Sequence, residues 1–152
     1  MKNKSEKMLA IRKIEYHLRN LASYRTGIKS LEKQLDYIMP NTTTRYERRE
    51  GGFSFTVRSS TEDVALDRIE GKRALDIREQ IARYQIIVDT IDAALKDLKP
   101  QQRQFIELRY FQDLTFVEIA TKMGYSAESS VFTIRNHTFN RLLITCAGIT
   151  QL

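Results

Sequence analysis

The stretch from Thr115 to Val131, TFVEIATKMGYSAESSV, contains the signals for one helix ending and another beginning. Thr115 is a favourable N-cap, and Glu118 stands three residues later, where its side chain can complete a capping box. Gly124 can adopt the left-handed conformation that ends a helix sharply. Ala120 is small enough for a second helix to cross closely, and Val131 can anchor that helix. An ordinary helical hairpin can share the Ala-x-x-x-Gly spacing, but the run of short capped helices favours a helix-turn-helix.

Helices are predicted on both sides of this motif. Pro100 favours a boundary, and Gln101–Phe111 reads as a short helix with four apolar side chains. After the turn, Ser126 is expected to cap a helix that runs to about Thr145. The side chains expected in the core are Phe105, Ile106, Leu108 and Tyr110 before the motif and Val131, Ile134, Phe139 and Leu142 in the last helix.

The N-terminal residues 5–38 carry one long helical stripe. Apolar side chains recur there every three or four residues, which is the spacing of one helix face. The alternation breaks once, where Leu21 is followed by Tyr24. Such a long helix cannot bury its stripe alone, so it needs a partner. The stripe consists of Met8, Ile11, Ile14, Leu18, Leu21, Tyr24, Ile28, Leu31, Leu35 and Ile38.

The expected partner is a second long helix that opens near Ser60 or Thr61, where Ser60 and Asp63 resemble a capping box. Residues 1–38 carry nine basic and four acidic side chains, whereas residues 61–98 carry six and nine. This charge pattern favours a long antiparallel, coiled-coil-like hairpin. The second stripe consists of Ile77, Ile81, Tyr84, Val88, Ile91, Leu95 and Leu98.

The connecting loop, residues 40–59, contains a threonine run, Gly51-Gly52 and the alternating stretch Phe53–Val57. A short β-hairpin turning at the glycines is compatible with this pattern. Because a structureless connection of this length is unusual in a compact domain, the loop is either mobile or functional. The predicted domains are therefore a helical hairpin over residues 1–98, for dimerisation or docking, and a small module over residues 99–152.

Composition limits the class of protein. The 152 residues are 41% hydrophobic and 29% charged, which argues against a disordered chain and against a membrane protein. The N-terminal residues lead into no apolar signal segment, so we expect a cytoplasmic location. The net charge of +6 makes an acidic partner plausible, although residues 99–152 carry only six basic and four acidic side chains.

Several motifs of the C-terminal third carry a family resemblance. Leu98–Arg103 (LKPQQR), Ile106–Phe111 (IELRYF), Leu114–Ala120 (LTFVEIA) and Gly124–Ser126 (GYS) resemble the promoter-reading fourth region of bacterial sigma factors. The whole chain is similar to small phage transcriptional activators of the ArpU and RinA type, in which such a module follows a helical region. Two departures are one extra residue between Ser126 and Val131, and Thr138 where alanine is common.

The resemblance implies that the helix after Ser126 enters the major groove of double-stranded DNA. Asn136 could then bind adenine through two hydrogen bonds, and Glu128 could accept one from cytosine, while serine and threonine hydroxyls discriminate weakly. The base-reading candidates are Glu128, Ser129, Ser130, Thr133, Asn136 and His137. The phosphate candidates are Thr115, Ser126, Arg135, Arg141, Arg103 and Arg109. For each of them, a solvated polar or intra-domain role is the alternative.

Catalysis is not expected. Gly51-Gly52 lacks the lysine and hydroxyl of a phosphate-binding loop, and helix capping explains the Glu62-Asp63 pair. Cys146 is the only cysteine, and His17 and His137 are the only histidines, so we expect no metal site and no cofactor. Cys146 is best interpreted as a buried or inert thiol.

These observations favour a sequence-specific DNA-binding transcriptional regulator, as in a phage or prophage late-gene activator acting at promoter DNA, with RNA polymerase as a further partner. We also expect a homodimer or higher oligomer through the long helices, because a two-helix contact leaves a second apolar side in water. That side consists of Leu66, Ile69, Leu75, Ile86 and Ile87. The alternatives are a DNA-packaging recognition protein similar to a phage terminase small subunit, and a coiled-coil scaffold or polymerase-docking protein.

Overall fold

The computed structural model describes residues 3–39 and 60–152, apart from the side chains at 60, 62 and 63. The predicted mostly α-helical fold class is confirmed, and no strand occurs in these ranges. The loop 40–59, with its β-hairpin interpretation, lies outside the described residues, and the Ser60–Asp63 capping box depends on two side chains that are not described. The helices are α1 (Lys4–Arg19), α2 (Leu21–Ile38), α3 (Ser60–Asp97), α4 (Pro100–Ile106), α5 (Phe116–Met123) and α6 (Glu128–Thr145).

The single N-terminal helix predicted over residues 5–38 is divided at Asn20. The Asn20 backbone has φ −98° and ψ 7°, and its side-chain amide donates to the Tyr16 carbonyl at 2.8 Å. Asparagine competes in this way with the regular helical hydrogen bonds. The interruption lies one residue before Leu21, where the apolar alternation breaks in the sequence.

Two compact units are present, and the first consists of Met1–Tyr24 and Ile86–Leu152. In this unit α1 packs against α6, and α4 and α5 also pack against α6. Glu107–Phe111 continues α4 as a π-helical turn, in which the Gln112 N–H donates to the Glu107 carbonyl at 3.0 Å. The fully buried side chains of this core include Ile14, Leu18, Ile91, Phe105, Ile106, Ile119, Val131, Phe139, Leu142 and Ile149.

The second unit, Arg25–Gln85, contains most of α2 and the first two thirds of α3. Ile28 and Ala74 are buried in it. A Cβ placed on Gly27 would lie 3.1 Å from Cε2 of Tyr84, so the missing side chain lets the two helices approach closely here. The antiparallel, coiled-coil-like course of the hairpin stays a prediction, as does the domain boundary between residues 98 and 99.

The prediction that the long helices carry a second, exposed apolar side is only partly correct. Ile87 is buried, with 6% of its surface exposed, because it faces the core of the first unit. Leu66, Ile69, Leu75 and Ile86 are each more than half exposed. None of the helices in the described ranges is long and apolar enough to cross a membrane.

Candidate nucleic-acid interface

The turn between α5 and α6 has the geometry that the sequence predicts. Gly124 has φ +78°, and the Tyr125 and Gly124 N–H groups donate to the carbonyls of Ala120 and Thr121 at 2.8 and 3.3 Å. These two hydrogen bonds form a Schellman motif, which satisfies the last carbonyls of α5. The chain can therefore leave α5 sharply and begin α6 at Glu128.

The start of α5 is fixed by the predicted capping box. The Glu118 N–H donates to the Thr115 hydroxyl oxygen at 3.3 Å, and the Thr115 N–H donates to the Glu118 carboxylate at 2.8 Å. The Thr115 hydroxyl also donates to that carboxylate at 3.0 Å. The two bonds that the Glu118 carboxylate accepts, first the one from the Thr115 N–H and then the one from its hydroxyl, lower the pKa of Glu118. Because the Thr115 hydroxyl is engaged in the cap, a contact with phosphate would have to share it.

The crossing of α5 and α6 depends on small and apolar side chains. Ala120 is buried, and Ile119 and Val131 have no exposed surface. The rings of Phe116 and Phe132 stack at the edge of the crossing, with centroids 4.5 Å apart and planes at 16°. The two helices are therefore held in one orientation by close packing, as a helix-turn-helix requires.

The exposed side of α6 carries most of the predicted base-reading residues. Ser129, Thr133 and Asn136 lie on one stripe of the helix at steps of four and three residues, and all three are exposed. His137 is also exposed and lines a groove between α4 and α6. Of the remaining two candidates, Glu128 is exposed at the first position of α6 and Ser130 is half-buried, each beside the stripe.

The N-cap of α6 is Ala127, which corrects the prediction that Ser126 caps this helix. Ala127 has φ −140° and ψ 146°, and no side chain forms a capping hydrogen bond there. Ser126 lies one residue earlier and is exposed. Its hydroxyl is thus adjacent to the start of the helix without belonging to its cap.

Two of the predicted phosphate-binding arginines support the backbone of the module. Arg103 donates to the carbonyls of Leu95, Lys96 and Leu98 at 3.0 to 3.2 Å, which satisfies the C-terminal end of α3. Arg109 donates to the Leu114 carbonyl at 2.8 Å, and its guanidinium lies 4.8 Å from the centre of the Phe116 ring. Both guanidinium groups therefore have intramolecular partners.

Arg135 takes part in a half-buried cluster between α1 and α6. Its guanidinium donates to the Glu15 carboxylate at 2.9 Å and lies 4.9 Å from the centre of the Phe139 ring. The Tyr110 hydroxyl donates to the same carboxylate oxygen at 2.8 Å. Burial, together with this hydrogen bond, raises the pKa of Tyr110. Glu15 thus joins three elements that are distant in sequence.

Arg141 forms a two-pronged ion pair with Asp97, with N–O distances of 2.7 and 3.1 Å. The hydrogen bonds from Arg141 lower the pKa of the Asp97 carboxyl. The pair links the end of α3 to α6. A bidentate contact of Arg141 with a phosphate would have to replace Asp97.

Two further polar residues, Asn140 and Lys7, border the exposed stripe of α6. Asn140 lies four residues after Asn136 and accepts a hydrogen bond from the Lys7 ammonium at 3.0 Å. The four-residue step could have identified Asn140 from the sequence. From its charge, Lys7 is a possible flanking phosphate contact, but its position beside Asn140 could not be predicted, because 133 residues separate the two and only the packing of α1 brings them together.

Cys146 and His17, two side chains that could take part in catalysis or metal binding, are buried. Cys146 is 1% exposed, and burial raises the pKa of its thiol. His17 is also buried, and its Nδ1 lies 2.8 Å from the Tyr24 hydroxyl oxygen. Over residues 3–39 and 60–152, no group of three or more histidine, cysteine or acidic side chains is arranged to hold a metal ion.

Residues 94–136 match the family model of Sigma-70, region 4. The match runs from the end of α3 to Asn136, so it includes the helix-turn-helix and the exposed stripe of α6 up to that residue. These residues are a sigma-region-4-like module, as the sequence motifs predict. The resemblance of the whole chain to phage activators of the ArpU and RinA type stays a prediction.

The chain is also similar to RNA polymerase sigma factor YlaC of Bacillus subtilis (strain 168), with 31% identity over 109 residues. That alignment covers 72% of this chain and 59% of the relative, so the chain spans less than two thirds of the relative's length. No solved structure matches the chain.

Proposed function

We propose that the protein is a sequence-specific DNA-binding transcriptional regulator that inserts α6 into the major groove of promoter DNA. The observation that carries this proposal is the exposed polar stripe of α6, which follows a glycine-capped turn within the region that matches Sigma-70, region 4. A solvent-facing stripe of hydroxyl and amide groups on a rigidly crossed helix can form hydrogen bonds with base edges.

Asn136 is the strongest base-reading candidate. Its exposed amide can donate to and accept from the N7 and N6 positions of adenine, whereas the hydroxyls of Ser129 and Thr133 accept several partners. The Thr133 hydroxyl donates to the Ser129 carbonyl at 3.1 Å, which leaves its oxygen as an acceptor. We therefore expect Asn136 to contribute more discrimination than either hydroxyl.

The arginines of the module are not the first candidates for phosphate contacts, because their guanidinium groups have intramolecular partners. Lys99 and Lys122 are exposed, and Lys99 lines the groove beside His137. We propose that these lysines and the Ser126 hydroxyl contact phosphate in preference to the arginines, because each arginine would first have to give up its intramolecular partner. Each phosphate that a lysine neutralises adds about 0.9 to the slope of log Kd against log salt on duplex DNA, whereas the neutral Ser126 hydroxyl adds nothing to it.

The finer proposal is a late-gene activator of a phage or prophage that binds as a homodimer and contacts RNA polymerase. It is supported by the motif resemblance to the ArpU and RinA type and by the relative that is named an RNA polymerase sigma factor. An inverted repeat in the preferred DNA would agree with two-fold symmetry, and stimulated transcription from a template carrying that site would agree with activation.

The test is selection of DNA from a random pool by the full chain, followed by gel shifts with Asn136→Ala. The expected loss is about 1–3 kcal/mol of discrimination at one base position. Gln34→Ala is the matched control, because Gln34 is an exposed amide side chain on α2. Lys122→Ala should weaken all sequences alike and lower the salt slope.

The outcomes separate the rival functions. No binding to any duplex at low salt would contradict DNA recognition and would favour the scaffold or polymerase-docking alternative. Binding to one site with Asn136→Ala unchanged would refute the assignment of that residue. Selection of a site with no effect on transcription in vitro would favour the DNA-packaging alternative.

A further inference from the structure

The side of α3 that faces away from the other described helices carries a repeat of small and apolar residues. Val64 and Leu75 are 11 residues apart, as are Gly71 and Ala82. Eleven residues make three turns of an α-helix, and the seven residues from Val64 to Gly71 make two turns, each to within about 20°, so all four residues lie on one side. Val64 and Leu75 are 50% and 59% exposed, and Ala82 is exposed. We call Val64, Gly71, Leu75 and Ala82 the outer stripe.

No contact among the described residues requires glycine at position 71. A glycine in a helix interior costs about 1 kcal/mol relative to alanine. A Cβ placed on Gly71 would meet nothing within 4 Å, whereas one on Gly27 would meet the Tyr84 ring at 3.1 Å. The missing side chain of Gly27 therefore serves packing between α2 and α3, whereas no described neighbour of Gly71 needs the missing side chain there.

The outer stripe is complementary to itself when a second α3 is laid antiparallel to it, with residue 73 of one copy level with residue 73 of the other. In that register the large Leu75 lies opposite Gly71 of the second copy, and Val64 lies opposite Ala82. Each apolar side chain meets a position without a bulky side chain, and each pair occurs twice. The stripe is about 27 Å long, at 1.5 Å per residue.

The charges beside the stripe fit the same register. Arg68 and Glu79 lie on one flank, and Asp67 and Arg78 lie on the other, at 100° per residue around the helix. In antiparallel helices, residues on the same flank face each other. Arg68 then lies within one residue of the level of Glu79 in the second copy, and Asp67 within one residue of Arg78. All four flank residues are exposed.

We propose that the outer stripe binds a second copy of this chain, so that two α3 helices pair antiparallel with Leu75 of each over Gly71 of the other. The proposal does not depend on DNA binding. It is narrower than the apolar side expected from the sequence, because Leu66 and Ile69 point away from the outer stripe.

The first test is sedimentation equilibrium of the full chain at micromolar concentration. The parent chain should have twice the mass of one 17.8 kDa chain. Leu75→Glu should raise the dimer dissociation constant at least about tenfold, whereas Leu66→Glu should leave it unchanged. Leu66 is the matched control, because it is 55% exposed on the same helix. Circular dichroism checks that both variants remain helical.

A charge exchange tests the register. Asp67→Arg alone and Arg78→Asp alone each place like charges opposite one another and should weaken the dimer. The double variant restores opposite charges on that flank and should restore the dimer. A mixture of Leu75→Cys and Gly71→Cys chains should form an intermolecular disulfide faster than either variant alone.

A parent chain that is monomeric at 100 µM would overturn the proposal. So would a dimer that Leu66→Glu dissociates and Leu75→Glu does not. A double charge variant weaker than both single variants would refute the antiparallel register, as would faster cross-linking of Leu75→Cys with itself. The buried Cys146 stays in place, and the parent chain is the control for it.

Discussion

Replacing Gly124 by alanine isolates the energetic contribution of the turn between α5 and α6. Gly124 has φ +78°, in the left-handed region that side chains with a Cβ disfavour. A Cβ built there meets nothing within 4 Å. Gly124→Ala therefore changes the backbone preference and introduces no steric clash.

The magnitude follows from two opposing effects. The left-handed conformation costs a residue with a Cβ about 1–2 kcal/mol. Alanine also restricts the unfolded chain, which favours folding by about 0.4–1 kcal/mol. The free energy of unfolding should therefore fall by about 1 kcal/mol. Gly148 is the matched control, since its Cβ would also meet nothing within 4 Å and its φ is not positive. Gly148→Ala should be neutral or stabilising by up to about 1 kcal/mol.

The assay is urea unfolding followed by circular dichroism, with the parent chain, both alanine variants and Gly124→Asn. Asparagine tolerates the left-handed region better than alanine, so Gly124→Asn should retain part of the lost stability. Equal changes for Gly124→Ala and Gly148→Ala would refute the reasoning, because neither Cβ meets an atom within 4 Å and, of these two glycines, Gly124 alone has a positive φ. A loss above about 3 kcal/mol would also contradict it, since strain without a clash cannot supply that much.

Two further perturbations address the packing of α1. Glu15→Ala removes the common acceptor of the Tyr110 hydroxyl and the Arg135 guanidinium, so the free energy of unfolding in urea should fall by about 1–3 kcal/mol, while Glu6→Ala on the exposed first turn should have little effect. His17 is buried, and this burial lowers its pKa below 6.5; its contribution to stability should be complete above that pH and decrease as the pH falls towards the folded pKa. Thermal unfolding midpoints from pH 8 to 5 should show this loss, and a His17→Gln variant with the same pH dependence as the parent would contradict it.

Local signals explain why the sequence predicts the helix-turn-helix well. The Thr115–Glu118 cap involves residues three apart, and glycine permits the positive φ that ends α5 at Gly124. The sequence favours Ser126 as the N-cap of α6, but the N-cap is Ala127. The extended backbone of Ala127 leads into the helix without a side-chain hydrogen bond. A capping preference is about 1 kcal/mol, which tertiary packing can override.

Non-local packing explains what the sequence does not reveal. The division of the N-terminal helix at Asn20 coincides with an irregular apolar step, but periodicity alone does not indicate that the helix stops. The exposure of Leu75 and the burial of Ile87 differ because other helices cover only one of them. Periodicity identifies the apolar faces of α3, and only the fold shows which face stays in contact with water.

Because arginines of the module pair with carboxylates inside the chain, the net positive charge of the protein is a poor guide to its DNA-binding surface. Arg135 pairs with Glu15 across 120 residues and Arg141 with Asp97 across 44, so neither pair is visible in a local pattern. These ion pairs hold α6 against α1 and α3, and they leave the exposed stripe of α6 with neutral amide and hydroxyl groups. A DNA-binding surface built in this way derives its discrimination from hydrogen bonds and little of its affinity from charge. A shallow salt dependence combined with strong base preference is the signature that distinguishes it from a simple basic patch.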